Sequence, residues 1–354
     1  MNEKSWLRVP NSCSANLKSK SGPADQNLKW VGLSVFAFVL VVCGAVATAQ
    51  QPKKIPRIAF LSQGSSSSAA LPRRGSLGQE LLKLGYVEGK TIAFEDRFAE
   101  DKPERLPDLA AELVRLKVDV IVAISPPEIR AAKEASSTIP IVMLGTPVDP
   151  VAAGFVASLA RPGGNVTGLT SLGGELHGKR LELLKEVSPR ISRVAILWPR
   201  PTYKQQMKEI EPVAQFLGIQ IQSLIVGTSL DDLESAFSAI SKERPNALLV
   251  AVSRVITTHR ARIIDFATKR RLPAMYDSNT FVEDGGLMSY GVDWTELFRR
   301  AAIHVDKILK GTKPADIPVE QPMKFEFIVN LKAAKAIGLT IPPNVLVRAQ
   351  KVIK

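Results

Sequence analysis

One alternation narrows the possible folds more than anything else in this chain. From Ile55 onward, short apolar runs take turns with longer stretches whose apolar residues recur every three or four positions. A strand buried on both faces reads as an unbroken apolar run, and a helix covering it reads with a 3.6-residue period. Their alternation is the pattern of βαβ units and a parallel sheet. Residues 58–62 (IAFLS), 118–124 (VDVIVAI), 139–144 (IPIVML) and 165–170 (NVTGLT) read as strands, and 91–98 (TIAFEDRF) alternates like a half-exposed one. Helices read between them at 75–85, 103–117, 126–136 and from Asp149-Pro150 to about 159. In the second of these, Leu106, Leu109, Leu113 and Leu116 line one face, and Gly85 ends the first. A similar set follows, with strands at 193–198, 219–226, 247–252, 272–276, 287–291 and 324–330 and helices at 175–187, 203–217, 230–241, 257–270 and 294–310. Two consecutive sets of similar size predict an α/β chain of two Rossmann-like lobes, each with a parallel sheet, meeting at a central cleft. The boundaries expected are 55–170 for the first lobe and 171–291 for the second.

Before this region the chain has a different character. Residues 31–49 carry no charge, Lys29 precedes them, and Ala47-Thr48-Ala49 forms a small-residue cleavage site followed by polar Gln50-Gln51. That combination is a secretory signal. The stretch is also long enough to span a membrane if it is not cleaved. Cys43, with Leu40 three residues upstream, is a lipidation candidate, although Val42 stands where such sites want a small residue. Residues 1–30 are long for the charged part of a signal, and a translation start further in would account for them. The expected location is the periplasm. The chain has two cysteines, Cys13 and Cys43, so the body from residue 55 carries no disulfide and no thiolate metal site.

The formal net charge is +13, which raises nucleic acid as a partner, but the charge is spread. Acidic residues interleave with basic ones throughout, as in KRLELLKE (179–186), and aromatic residues are only 6% of the chain. No stacking pattern of aromatic and basic residues exists, so nucleic acid is not expected as a partner.

Catalytic signatures are missing from the sequence. There is no phosphate-loop motif, no dinucleotide fingerprint and no nucleophile elbow. His177, His259 and His304 are far apart and fit no metal spacing, so each reads as a surface or satisfied core histidine. No cofactor and no metal are expected. In open α/β sheets ligands bind beyond the carboxyl ends of the strands. The loops there offer hydroxyls, amides and a few charges: Ser62, Gly64, Ser65, Ser66, Ser125, Thr146, Asp149, Trp198, Ser253, Asp277 and Tyr290. Helix N-termini near Ser125 and Thr146 suit a carboxylate, Asp149 and Asp277 an ammonium group, and Trp198 and Tyr290 an apolar wall. Each serine, and Asp149, reads equally as a helix cap or turn residue.

Several blocks resemble a known family: LGYVEGKTIAFEDRFAEDKPERLPDLAAELVRLKVDVIV (84–122), DPVAAGFVASLARPGGNVTGL (149–169), GKRLELLKEVSPRISRVAILW (178–198), GGLMSYG (285–291) and residues 297–343. They are similar to ABC-transporter substrate-binding proteins of the tryptophan/tyrosine uptake type, over residues 55 to 350. The resemblance implies a type I periplasmic-binding fold with three hinge crossings, in which 292–354 complete the first lobe and helix 294–310 packs on it. It implies a small polar or amino-acid-like solute, importer permease subunits as partners, and no catalysis. Proteins of this kind are usually monomers. Two loops depart from the family pattern. Ile124-Ser125-Pro126-Pro127 stands where Gly-Thr-Pro is usual, and Pro199-Arg200-Pro201 where Asn-Pro follows the tryptophan. Arg200 thereby becomes a further candidate, suited to a carboxylate or simply a surface residue. Two rival readings remain: a ligand-sensing module of a signalling system, and a periplasmic enzyme.

Overall fold

The strongest apolar runs become the central strands. The structure, a computed structural model, describes residues 54–65, 70–172, 176–200, 203–227, 229–251 and 253–354. The export signal, both cysteines and Ser66 lie outside the described residues. The strands are β1 (Arg57–Ser62), β2 (Ala93–Phe98), β3 (Val120–Ala123), β4 (Ile141–Thr146), β5 (Val166–Thr170), β6 (Arg193–Pro199), β7 (Gln220–Val226), β8 (Ala247–Val250), β9 (Ala274–Tyr276), β10 (Met288–Val292), β11 (Phe325–Asn330) and β12 (Lys351–Ile353). The longer helices are α1 (Ala70–Lys83), α2 (Leu106–Arg115), α3 (Pro126–Ala135), α4 (Leu176–Val187), α5 (Tyr203–Phe216), α6 (Leu230–Glu243), α7 (Arg260–Lys269) and α8 (Trp294–Leu309). Among the described residues no helix is long and apolar enough to cross a membrane.

Two sheets result. The first has order β2-β1-β3-β4-β5 and is wholly parallel. The second has order β12-β11-β10-β9-β8-β6-β7, with β10 and β11 antiparallel and the other pairs parallel. Each sheet is covered on both faces, so each lobe has two apolar layers. α2 shows how such a layer is made: Leu106, Leu109 and Leu113 are buried against Ala59, Leu61 and Ile121. Each buried leucine contributes roughly 1.5–3 kcal/mol. Between β4 and β5 the approach is so close that Gly168 has no alternative. Its φ is +127°, and a Cβ there would stand 2.2 Å from the Met143 carbonyl oxygen.

Three expectations change. Residues 150–154 are turns, not a helix. Asp149 Oδ1 accepts the Val151 N–H at 2.8 Å, and Gly154 with φ +70° turns the chain away from a helical path. The helix expected at 257–270 is two helices, Arg254–Thr258 and α7, separated at His259. The third change concerns the end of the chain. α8 does pack on the first lobe, its Leu297, Phe298, Ala301 and Val305 joining Ile58, Phe60 and Val142. Residues 325–353, however, belong to the second sheet and do not complete the first lobe. The cause is that β11 is apolar on both sides. Phe327 and Val329 enter one layer of the second lobe and Ile328 the other, which suits an interior strand.

The chain therefore crosses between the sheets three times: after Thr170, at Asp293, and between Glu320 and Lys324. The crossings lie side by side. Asp293 N donates to Lys324 O at 3.1 Å, Thr170 N to Glu320 O at 3.0 Å and Glu320 N to Gly168 O at 2.9 Å. A cavity of about 220 Å³ opens here, lined by Leu169, Leu297, Arg300, Glu320 and Met323. It sits at the crossings and not at the carboxyl ends of the central strands, so strand topology is the better guide to the ligand site.

Candidate functional site

Strand order points to one place in each lobe. Reading across the first sheet, order reverses between β1 and β3; in the second it reverses between β6 and β8. Loops leaving neighbouring strands in opposite directions open a crevice at their carboxyl ends.

In the first lobe that crevice is held by a buried carboxylate. Glu128 Oε1 accepts from Gln63 N at 2.7 Å, and its Oε2 accepts from Ile124 N at 2.8 Å and Ser125 N at 2.7 Å. The first donor belongs to the loop after β1 and the other two to the loop after β3, so one side chain ties both loops together. Burial pushes the Glu128 carboxyl above the usual range, and the three N–H donors pull it back. Ser125 is the N-cap of α3, and Ser125-Pro126-Pro127-Glu128 is its capping box. Ser62 Oγ accepts from Gly64 N at 3.1 Å, closing a turn on itself. Ser65 continues that loop and is half-buried. Ser62, Gly64, Ser65 and Ser125 are thus brought together.

Two further hydroxyls stand at the ends of β4 and β5. Thr146 and Thr170 are buried, and neither Oγ1 has a hydrogen-bond partner among the described residues. Beside them, the Trp294 ring closes over Gly145, where a Cβ would meet the ring at 3.3 Å. Asp149 does not join this group. It is exposed and caps its own turn.

The second lobe contributes a buried cation network at its carboxyl edge. Arg180, on α4, is buried, and its Nε donates to Tyr290 O at 2.7 Å. Its Nη1 lies 3.0 Å from His177 Nδ1, and Asp277 supports its charge against the cost of burial. His177 is 1% exposed, packs edge-on to Trp198 at 5.0 Å between ring centroids, and has no partner at Nε2 among the described residues. Tyr290 stacks on Phe325 at 5.9 Å, near the second and third crossings. At Gly291 the backbone passes so near the β9 loop that a Cβ would lie 2.5 Å from Asp277 O. Asp277 and Tyr290 therefore share one site through Arg180.

Two expected residues, Trp198 and Arg200, fall elsewhere. Trp198 is fully buried in the second-lobe core, its Nε1 donating to Ser223 Oγ at 3.3 Å, and is not a cleft wall. Apolar area explains this: a strand-end indole next to an apolar layer is drawn into it. Arg200 is exposed and lies beside Gly227 and Asp232, on the side of β7 and away from β8. Ser253 stays at the carboxyl end of β8, where its Oγ accepts from Ile256 N at 3.4 Å and caps the helix that follows.

Sequence reasoning missed Glu128, His177, Arg180 and Arg73. Glu128 had a readable signal, the capping-box spacing. His177 and Arg180 are three apart on a helix that starts right after a crossing, which is a weaker one. No group of His, Cys, Asp and Glu among the described residues is placed to hold a metal ion.

With this geometry in place, the comparisons fall into line. A family model described as ABC transporter substrate binding protein matches residues 61–353. A protein of Clostridioides difficile named tyrosine-binding protein is 28% identical over 257 residues, covering 72% of this chain and 73% of its own. A conserved domain protein of Vibrio cholerae superposes with a TM-score of 0.75 at 28% identity, over 84% of this chain and 100% of its own. A Streptococcus pneumonia ABC domain in complex with L-Trp also gives a TM-score of 0.75, at 25% identity, over 84% of this chain and 99% of its own.

Proposed function

The chain belongs to the family of ABC transporter substrate-binding proteins, and from that premise we propose that it captures a small amino-acid-like solute between its two lobes and delivers it to importer permease subunits. The fold is that of type I periplasmic-binding proteins, and the protein is the solute-binding component of an ABC importer.

The observation that best supports capture at the strand ends is the pair Thr146 Oγ1 and Thr170 Oγ1. Both are buried at the carboxyl edge of the first sheet without a partner among the described residues. An unpaired buried hydroxyl costs about 1–3 kcal/mol, so a polar solute that meets both is favoured. The second lobe offers Asp277, His177 and the half-exposed Tyr290 ring. A solute touching both lobes favours their closed arrangement by the difference in its affinity for the two states. The three adjacent crossings at Thr170, Asp293 and Glu320–Lys324 are where such a rotation has to bend the chain. Solute is bound and released without a bond being made or broken, and a screen for turnover should find none.

The relatives that bind tyrosine and L-Trp make amino acids the first class to test. The altered loop at Ser125-Pro126-Pro127 makes the aromatic side chain the part most open to change. The family works outside the cytoplasmic membrane, and the Ala47-Thr48-Ala49 pattern supports export to the periplasm with a mature N-terminus near Gln50. Mass spectrometry of the secreted form tests that boundary.

The decisive experiment is a thermal-shift screen of the purified protein, stripped of carried-over ligand, against amino acids, small carboxylates and nucleosides. A solute at a hundred times its Kd stabilises by about 2.7 kcal/mol. A shift with amino acids supports the reading. A shift with nucleosides alone keeps capture and discards the amino-acid class, and no shift with any solute counts against capture.

A further inference from the structure

Adjacent arginines in the first turn of α1 have opposite surroundings. Arg74 is saturated: it forms ion pairs with Glu88 and with Asp96, the latter at 3.2 Å. Arg73 has neither a hydrogen bond nor an ion pair with any described residue, yet it is half-buried. Its guanidinium carbon lies 5.1 Å from the centroid of the Trp294 ring. The same ring closes over Gly145, immediately before Thr146 with its unpartnered hydroxyl. Arg73 also feels the charge of Glu128, whose two oxygens are already taken by the N–H groups of Gln63, Ile124 and Ser125. It therefore stands among the loops that leave β1, β3 and β4, and its five N–H donors have no acceptor among the described residues.

A desolvated guanidinium without a partner is costly, and proteins rarely keep one without a counter-ion. Stacking on an indole holds the group flat but leaves its donor edge open. We infer that Arg73 is the anion-binding residue of the cleft, and that the transported solute carries a carboxylate which Arg73 grips while the Thr146 hydroxyl takes a further oxygen. This inference rests on the capture reading above and narrows it to a charge class. A carboxylate fits better than a phosphate because Arg73 is a single guanidinium, Arg180 is already engaged by Tyr290 O, His177 and Asp277, and the Glu128 carboxylate is nearby. A single negative charge in a planar two-oxygen fork matches one guanidinium.

The test uses the solute panel named above, with each solute that binds paired to its carboxamide, measured by titration calorimetry. The proteins are the wild type, Arg73→Gln and Arg73→Lys. Every binder is expected to carry a carboxylate, and each carboxamide to bind at least about tenfold more weakly to the wild type. Arg73→Gln should weaken the carboxylate by a similar factor and abolish the preference over the carboxamide, while Arg73→Lys keeps part of it. The ligand-free Arg73→Gln protein should melt no lower than the wild type, because a half-buried cation without an ion-pair partner has been removed. If that variant does not fold, the carboxylate-against-carboxamide comparison on the wild type still decides. Equal binding of acid and amide, or an unchanged Kd in Arg73→Gln, overturns the role of Arg73 and leaves capture standing. Failure of the whole panel to bind overturns capture, and the role of Arg73 with it.

Discussion

Arg180 Nη1 lies 3.0 Å from His177 Nδ1, and this contact assigns the proton of the ring. An arginine N–H only donates, so Nδ1 accepts and the imidazole is neutral with its hydrogen on Nε2. Burial first, and the Arg180 charge second, hold the His177 pKa well below its ordinary 6.5. The sequence offered no reason to separate His177 from His304, whose ring nitrogens face the Arg300 and Pro318 carbonyls at 3.0 and 3.3 Å.

The neutral ring makes stability depend on pH in a fixed direction. Between the lowered folded pKa and 6.5, the unfolded chain binds a proton at this site and the folded chain does not. Stability from His177 is therefore fully present above about pH 6.5 and falls as pH drops below it, by at most about 1.4 kcal/mol per pH unit. Thermal unfolding of the wild type and His177→Gln from pH 4.5 to 7.5 checks this. The gap between the two curves should shrink as pH falls; a constant gap refutes the assignment.

Removing the cation should damage the second lobe more than its size suggests. Arg180→Met leaves Asp277 without its buried partner and Tyr290 O without a donor. A cost of roughly 3–5 kcal/mol is expected in urea unfolding. Adding Asp277→Asn to Arg180→Met should recover part of that loss, because the stranded charge is then gone. Simple additivity of the two would mean that Arg180 and Asp277 are not coupled.

Glu128→Gln tests the tie between the β1 and β3 loops. Glutamine brings one acceptor oxygen where three N–H groups now find two, and turns an amide donor towards one of them. A loss of about 2 kcal/mol is expected. Hydrogen exchange at the Gln63, Ile124 and Ser125 amides should quicken more than exchange in the β6–β8 region. Uniform quickening would show that Glu128 matters to global stability alone.

At the second crossing, Gly291→Ala places a methyl group 2.5 Å from Asp277 O. One of the two backbones has to move, with a cost above about 2 kcal/mol by chemical denaturation. Solute affinity should fall further than in Gly85→Ala, where nothing stands within 4 Å of the added carbon. That control carries only the backbone penalty of a positive φ.

The periodicity of the chain was enough to specify nearly all the central strands and long helices, because burial on one face or two is written residue by residue. The capping spacing from Ser125 to Glu128 and the strand-end positions of Thr146, Asp277 and Tyr290 were legible for the same local reason. Other assignments depended on partners far along the chain. Whether β11 served the first sheet or the second was decided by its antiparallel pairing with β10 and by apolar layers on both sides of Ile328. Trp198 and Arg200, two residues apart, were sent to a buried core and to an exposed edge by what lay opposite each. Arg73 and Arg74 are adjacent and chemically identical, and no pattern of spacing separates them. Only tertiary structure gave Arg74 two carboxylates and left Arg73 on an indole face, because an ion pair depends on distances in space that sequence order does not encode.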